Sequence, residues 1–297
     1  MFKPYELLES ILLDIENNIK NDINTSVLCK KYGISNSYLR SLFNFAFNQS
    51  IAAYIRSRKL AASLNDILET DSNIINIAID YGFEYEQSYI RSFQREFGIT
   101  PGNLRKTGHI LKIKPPLQLL DENKLGDDGV FFGLDIVLVP TFYFIGKRHR
   151  IPYEKIMEVT PGLAKQFMDN EHTQIKGVVN PYVYIGISSN ANPEEKHCEY
   201  TTSVQVKNLK SIPNGFCGDT FETTMCARIR CILHYNNSDF NKDIVSKMSN
   251  GIQFFTQNEK IKYELSVNKI YLQKIDTRLY DGAYFQMEWF TPVTIKQ

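Results

Sequence analysis

The sequence predicts a multidomain protein: an all-α N-terminal domain, then an α+β domain on an antiparallel sheet with a duplicated strand–helix–strand plan. Three observations predict this. Apolar residues recur at spacings of three and four over the first 107 residues, as amphipathic helices require. Within that region a helix–glycine–helix unit occurs twice, with Gly33 and Gly82 49 residues apart. After Phe131 the period changes to two, the mark of strands. The expected boundaries are 1–108 for the helical domain, 109–129 for a linker and 130–297 for the sheet domain.

Taken in order, the first expected helix, 5–20, lines Leu8, Ile11, Leu12, Ile15 and Ile19 along one face. Thr25–Tyr32 is a short helix, stopped by Gly33 as a glycine just past a helix end stops one. Ser35 can cap the next helix through its hydroxyl, and that helix turns Tyr38, Leu39, Leu42, Phe43 and Phe47 inward. A longer helix follows at 51–68. A short helix at 74–81 repeats the pattern, Gly82 stops it, and Glu86–Phe97 is the second copy of the second helix. Between 109 and 129 the periodicity fades into Pro115-Pro116 and Gly126-Asp-Asp-Gly129, which are turn and linker residues. Strands are expected at 133–139, 142–150, 182–188, 199–206, 220–233, 269–275 and 283–293, with helices at 153–170 and 239–255.

Composition narrows the function classes. The chain is 43% hydrophobic and 23% charged, ordinary for a packed soluble protein. No stretch approaches the roughly 20 apolar residues that span a bilayer. Early acids in residues 1–10 argue against a signal peptide, so a cytoplasmic protein without a membrane partner is expected. The net charge of +1 excludes a bulk polycation. Residues 1–110 carry 12 basic and 12 acidic side chains, so any DNA contact depends on placement. Five cysteines, irregularly spaced and without C-x-x-C, form neither a disulfide framework nor a zinc motif. Cys226 and Cys231, five apart in an expected strand, point to opposite faces. The five histidines lack metal spacing, and no P-loop is present. Neither metal, cofactor nor catalytic residue is expected, and the chain is read as a non-enzyme.

A short helix, a glycine turn and a second helix make the helix-turn-helix plan. Its second helix fits the major groove of DNA. The outward positions are Asn36, Ser37, Arg40, Ser41 and Asn44 in the first unit, and Glu86, Gln87, Arg91, Gln94 and Arg95 in the second. Arg40 and Arg91 occupy matching positions 51 residues apart, and arginine is the side chain most used to read guanine. A lone arginine on an amphipathic helix is ordinarily just solvated; the duplicated context favours DNA contact. Lys30, Lys31, Arg56 and Lys59 weigh evenly between phosphate contact and solvation.

The segments Arg58-Lys-Leu-Ala61-Ala-Ser-Leu64, Ile77-Ala78, Gly82-Phe83, Arg91-Ser-Phe93, Phe97-Gly98-Ile-Thr100-Pro101 and Leu104-Arg105 resemble the AraC/XylS-type DNA-binding domain over residues 10–107. The resemblance implies seven helices, with two recognition helices joined by a rigid long one and set in adjacent major-groove segments of double-stranded DNA. Ser37, Arg40 and Ser41 match the first base-reading helix; Glu86, Gln87 and Arg91 match the second. There are departures. Rob-like relatives carry a large aromatic where Ser37 stands, Gln94 replaces a usual lysine, and Glu86 puts an acid on the reading face. A different sequence preference is therefore expected, with Glu86 accepting from cytosine or discouraging wrong sites.

The last expected strand, Tyr284-Phe-Gln-Met-Glu288-Trp-Phe290-Thr-Pro292, alternates. Tyr284, Gln286, Glu288 and Phe290 share one face; Phe285, Met287 and Trp289 share the other and should pack on helices. A carboxylate among rings is costly unless paired or awaiting a ligand, and a cation held by rings and one carboxylate is a workable binding logic. The Glu288-to-Pro292 segment and the domain start at Leu134-Asp-Ile-Val-Leu-Val-Pro140 resemble the GyrI-like effector-binding domain, in the Rob-like domain order. That resemblance implies a pocket for bulky lipophilic effectors, often cationic, with Glu288 as ligand residue. Tyr143, Tyr182, Tyr184 and Phe221 are further pocket candidates, though each is more readily an ordinary core aromatic. The competing reading of Glu288 is a salt bridge to Arg228 or Arg230. The function expected is a sequence-specific transcription regulator that responds to a hydrophobic small molecule and biases recruitment of RNA polymerase. The alternatives are a GyrI-like hydrolase using the pocket glutamate as general base, or a drug-sequestering module with a vestigial DNA domain.

Overall fold

The computed structural model describes residues 3–21, 23–108, 112–119, 124–125, 129–189, 196–234, 263–266, 270–279 and 284–295. The chain divides into two compact units, Met1–Leu120 and Asp121–Gln297.

The first unit holds seven helices among its described residues: α1 (Pro4–Asn17), α2 (Thr25–Tyr32), α3 (Asn36–Phe47), α4 (Ile51–Glu69), α5 (Ile74–Asp80), α6 (Glu86–Phe97) and α7 (Pro101–Thr107). Side chains cap them. Asn24 accepts from the backbone N–H groups of Ser26 and Val27, Ser35 from Tyr38 at 3.1 Å, and Ser50 from Ala53 at 3.2 Å. The Phe97-Gly98-Ile-Thr100-Pro101 motif is a stop and a start. Gly98 closes α6 in the left-handed region at φ 75°, Thr100 caps α7, and Pro101 takes the first turn of α7, where no amide partner is needed.

Both helix-turn-helix units pack on α4. Leu60, Leu64 and Ile67 of α4 meet Ile77, Ala78, Tyr81, Tyr89, Phe93 and Leu104 in one buried cluster. The buried Ser63 hydroxyl shares a 2.7 Å hydrogen bond with Tyr89, whose phenol burial pushes up to about 12. Around the first unit, Phe43 packs on Phe47 and Tyr54, with ring centroids 4.8 and 5.6 Å away. Residues 112–119, expected as linker, are fastened to this unit. The Leu117 N–H donates to the Tyr54 hydroxyl, Tyr5 donates to the Leu119 carbonyl, and Arg58 donates to the Lys114 carbonyl.

The second unit is an antiparallel sheet. Its strands are β1 (Lys124–Leu125), β2 (Gly129–Val139), β3 (Phe142–Pro152), β4 (Val183–Ser189), β5 (His197–Val206), β6 (Cys217–Phe221), β7 (Thr224–His234), β8 (Tyr263–Leu265), β9 (Tyr271–Asp276) and β10 (Tyr284–Ile295). They run in the order β1-β2-β7-β10-β9-β4-β5-β3-β6, with β8 added on β10. One helix, α8 (Ile156–Gln166), follows β3 and runs into a π turn at Phe167–Glu171. The expected helix at 239–255 lies outside the described residues, so the duplicated plan is seen in its first half.

The single strand expected at 220–233 is instead two. β6 pairs with β3 at one end of the sheet, and β7 pairs with β2 and β10 near the other. Between them the chain turns a corner, pinned by a 2.8 Å hydrogen bond between the Thr141 and Thr223 hydroxyls. The corner shifts the alternation by one, so that Phe221 and Cys226, five apart, share one face.

One sheet face is covered by the helical segment: Phe167 and Ile175 pack on Ile145, Tyr184, Val204 and Val206. Further along that face, Phe285, Met287 and Trp289 were expected against helices. Among the described residues they pack on Ile229, Cys231 and Leu233 of the same sheet face, and the second expected helix, 239–255, lies outside the described residues. Cys231 lies in this cluster while Cys226 lies in the cluster on the opposite face, as their spacing requires. The opposite face gathers Val139, Phe142, Phe144, Ile185, Phe221, Cys226, Leu272 and Phe290.

Candidate functional site

In the first unit, each second helix turns its predicted reading positions outward. Asn36, Ser37 and Arg40 on α3 are exposed and Ser41 is half-buried; on α6, Gln87, Arg91 and Arg95 are exposed and Glu86 is half-buried. Leu39, Leu42 and Phe43 on α3, and Tyr89 and Phe93 on α6, are buried on the inner faces. Gln87, Arg91 and Arg95 follow one another at four-residue spacing and so form a single stripe. Turn chemistry sets the angle between paired helices: Gly33 at φ 65° and Gly82 at φ 71° occupy a region that costs other residues strain.

The arginines of this unit divide by what holds them. Arg58 donates from Nε and Nη2 to the two Glu16 oxygens at 2.8 and 2.9 Å. Arg105 donates to the Ile67 and Ser72 carbonyls at 2.9 and 2.8 Å, closing the open end of α4. Arg40, Arg91 and Arg95 make no hydrogen bond or ion pair among the described residues. Lys31 is bound to Asp14 at 2.6 Å, and Lys59 is buried.

In the second unit, a charged cluster sits on the sheet face that carries the Phe142 and Phe290 rings. Arg228 donates to Asp135 at 3.0 and 2.6 Å and to Glu288 at 3.0 Å. A bulge between Phe132 and Leu134 adds one residue to β2 and brings Asp135 opposite Arg228. Without it Asp135 would point to the other face. Burial alone would raise the Asp135 carboxyl, but its bonds to Arg228 hold it below its ordinary value. Arg230, buried, stands directly opposite Glu288, and so does Lys274 on the other side. The Lys274 Nζ lies 5.4 Å from the centroids of both Phe142 and Phe290. β10 and β3 are four strand positions apart, which on a flat sheet is about 19 Å. Two rings that share one ammonium are no more than about 11 Å apart, so the sheet curls and this face is concave.

Comparison with known proteins concerns the first unit. Residues 28–107 match the family model described as a helix-turn-helix domain. Regulatory protein SoxS of Salmonella typhimurium is 32% identical over 100 residues, which are 34% of this chain and 94% of that protein. The chain belongs to the AraC/XylS family. It is a DNA-binding transcription regulator of that type. The Right origin-binding protein of Escherichia coli is 29% identical over 115 residues, 38% of this chain and 40% of that protein. Among solved structures, an integron cassette protein from Vibrio cholerae aligns with 57% of this chain and 100% of its own at 10% identity, but at a TM-score of 0.40 the likeness is slight. Among the described residues no helix is long and apolar enough to cross a membrane.

For an AraC/XylS regulator the first unit thus presents its predicted reading residues together. The second unit does so only in part. Glu288, Gln286, Tyr284, Phe290 and Phe221 share the concave face, and Phe221 stacks on Phe142 at 5.1 Å. Tyr143 and Tyr184 do not join them. Tyr184 is one register step from Ile185 and so faces the helical side, where it is fully buried and hydrogen-bonded to Tyr200 at 2.6 Å. Tyr143 has the same parity as Ile145 and is exposed. Tyr182 precedes β4, exposed beneath the Arg278 guanidinium at 5.6 Å. Asp135 and Lys274 were missed. Their signal was a charge inside an otherwise apolar strand, but which face such a charge meets depends on the bulge and on long-range register.

Proposed function

We propose that α3 and α6 read two consecutive major-groove segments, Asn36, Ser37, Arg40 and Ser41 contacting one and Glu86, Gln87, Arg91 and Arg95 the other. One observation carries this reading: the outer face of each second helix bears an arginine, Arg40 on α3 and Arg91 on α6, one position out of step between the units, and both are exposed and uncommitted among the described residues, while Arg58 and Arg105 of the same domain are tied down. An uncommitted guanidinium on a helix of groove-fitting width is matched to the O6 and N7 of guanine. The helical domain 1–108 is the DNA reader, and the sheet domain 130–297 is the sensor. The sensor binds a bulky hydrophobic effector against the concave face, using Phe221, Phe290, Tyr284, Gln286 and Glu288. Aromatic rings beside a charged cluster on one concave face support this part. The effector changes transcription only by binding two states of the protein unequally, and recruitment of RNA polymerase is the output.

The test is enrichment of duplexes from a random pool by the full-length protein at near-physiological salt. A two-part motif is expected, its halves about one helical turn or 34 Å apart. Arg40→Ala and Arg91→Ala should each relax the motif at one position, the two positions lying in different halves. If both variants enrich the wild-type motif unchanged, the assignment of the reading residues is wrong. For the sensor, Phe290→Ala should weaken binding of hydrophobic compounds.

A further inference from the structure

Among the described residues, the carboxylates of the concave face are already held: Arg228 binds Asp135 and Glu288, and Arg278 binds Asp276, which lies two residues along β9 from Lys274. Lys274 stands directly across from Glu288 in the β9–β10 register, where cross-strand side chains ordinarily meet. Among the described residues it nevertheless makes no ion pair or hydrogen bond. Its ammonium turns to the Phe142 and Phe290 rings, 5.4 Å from each centroid. Burial lowers its pKa, against the pull of Glu288. Burying an ammonium costs free energy that rings alone do not return.

We infer that this face takes an anion: a carboxylate or similar oxyanion on a bulky apolar body, the oxyanion on the Lys274 Nζ and the body against Phe142, Phe221 and Phe290. The inference rests on the proposal that the second unit binds a hydrophobic effector, and it replaces the cation suggested by Glu288 alone. A cationic ligand would have to displace Arg228 from Glu288 and sit beside an uncompensated ammonium. An anion would pair the ammonium that the described residues leave without an ion pair.

The probes are matched pairs: naphthalene, anthracene and pyrene, each bearing either one carboxylate or one methylammonium, titrated by fluorescence or calorimetry into the full-length protein. The carboxylate of at least one ring system is expected to bind tenfold or more tighter than its ammonium twin. Lys274→Met should remove that preference and weaken carboxylate binding at least tenfold, while Lys274→Arg should keep most of it. A thermal melt of Lys274→Met checks folding, which loss of a half-buried charge without an ion pair should not harm. Tighter binding of the ammonium twins, or equal carboxylate affinity in wild type and Lys274→Met, overturns the inference and leaves the effector site standing. Binding by no member of any pair sinks the effector reading itself.

Discussion

On α3 and α6 the Arg40 and Arg91 side chains are exposed and make no ion pair among the described residues, whereas on β7 the Arg228 guanidinium is gripped by Asp135 and Glu288. The same side chain is left open in one unit and saturated in the other. A helix surface surrounded by water can carry an uncompensated charge at little cost, so a charge there is available to a phosphate or a base. A sheet face rich in phenylalanine cannot. There a charge needs a partner, and among the described residues Lys274 has rings beside it but no ion pair.

The sharpest way to break this contrast is to remove each arginine and measure stability. Arg228→Met leaves two half-buried carboxylates without their shared partner. About 3 kcal/mol of the second unit's stability should be lost, the lower end of the range for breaking a buried pair, because Asp135 and Glu288 keep some water. Arg40→Met and Arg91→Met should change unfolding by no more than about 0.5 kcal/mol, as surface substitutions do. Denaturant titration of the full chain reads both. A destabilisation by Arg40→Met as large as that by Arg228→Met would show that Arg40 is structural, and the contrast would collapse.

The next effect is on DNA. Arg40→Ala and Arg91→Ala should each weaken binding to the enriched site by about 1–3 kcal/mol, roughly 5- to 150-fold, and relax base preference at one position only. Arg56→Ala, if its side chain touches phosphate, should weaken binding to all sequences alike. Electrophoretic mobility shifts at fixed salt, with single-base variants of the site, separate the two.

How much of this could be read beforehand differs between the units for a physical reason. Helices are local: a period of three to four, a serine before it and a glycine after it lie within a dozen residues, so Thr25–Tyr32 and Glu86–Phe97 were expected at their observed bounds. The reading faces followed from that periodicity alone. In the sheet, alternation correctly separated Glu288 from Met287 but could not say which strand lies beside which. The pairing of Glu288 with Arg228 spans 60 residues, and Asp135 reaches the same guanidinium across 93. The bulge that turns Asp135 inward left no mark beyond Gly133. Tyr184 and Tyr143 lie on the face away from Glu288 for the same reason: aromatic character was legible, register was not.

The turn glycines give a smaller effect that sharpens the comparison between the two helix-turn-helix units. Gly33 and Gly82 both have positive φ, so alanine at either should cost about 1–2 kcal/mol. The surroundings differ: a Cβ at Gly33 meets open space, whereas one at Gly82 would lie 2.8 Å from the Lys59 Nζ. The Lys59 ammonium, at the end of a mostly buried side chain, must shift to make room. Gly82→Ala should therefore destabilise more than Gly33→Ala, measured by thermal unfolding.

The smallest effect is the pH dependence, where both units should agree in sign. Burial raises the Asp14 carboxyl, but bonds from Lys31 and Tyr32 bring it below its ordinary value; Asp135 is lowered by Arg228 in the same way. A carboxyl whose folded pKa lies below its unfolded one binds fewer protons when folded. Its stabilisation is thus complete above the unfolded value, 3.8 for aspartate, and is lost as pH falls through the folded value. Asp14→Asn and Asp135→Asn should each flatten the fall in thermal midpoint below pH 4 relative to wild type. Asp135→Asn should have the larger effect, because Asp14 pairs with an exposed Lys31, whose attraction water and salt screen, whereas Arg228 is largely buried. An equal effect of the two would mean that the sheet-face cluster is as open to water as the helix surface.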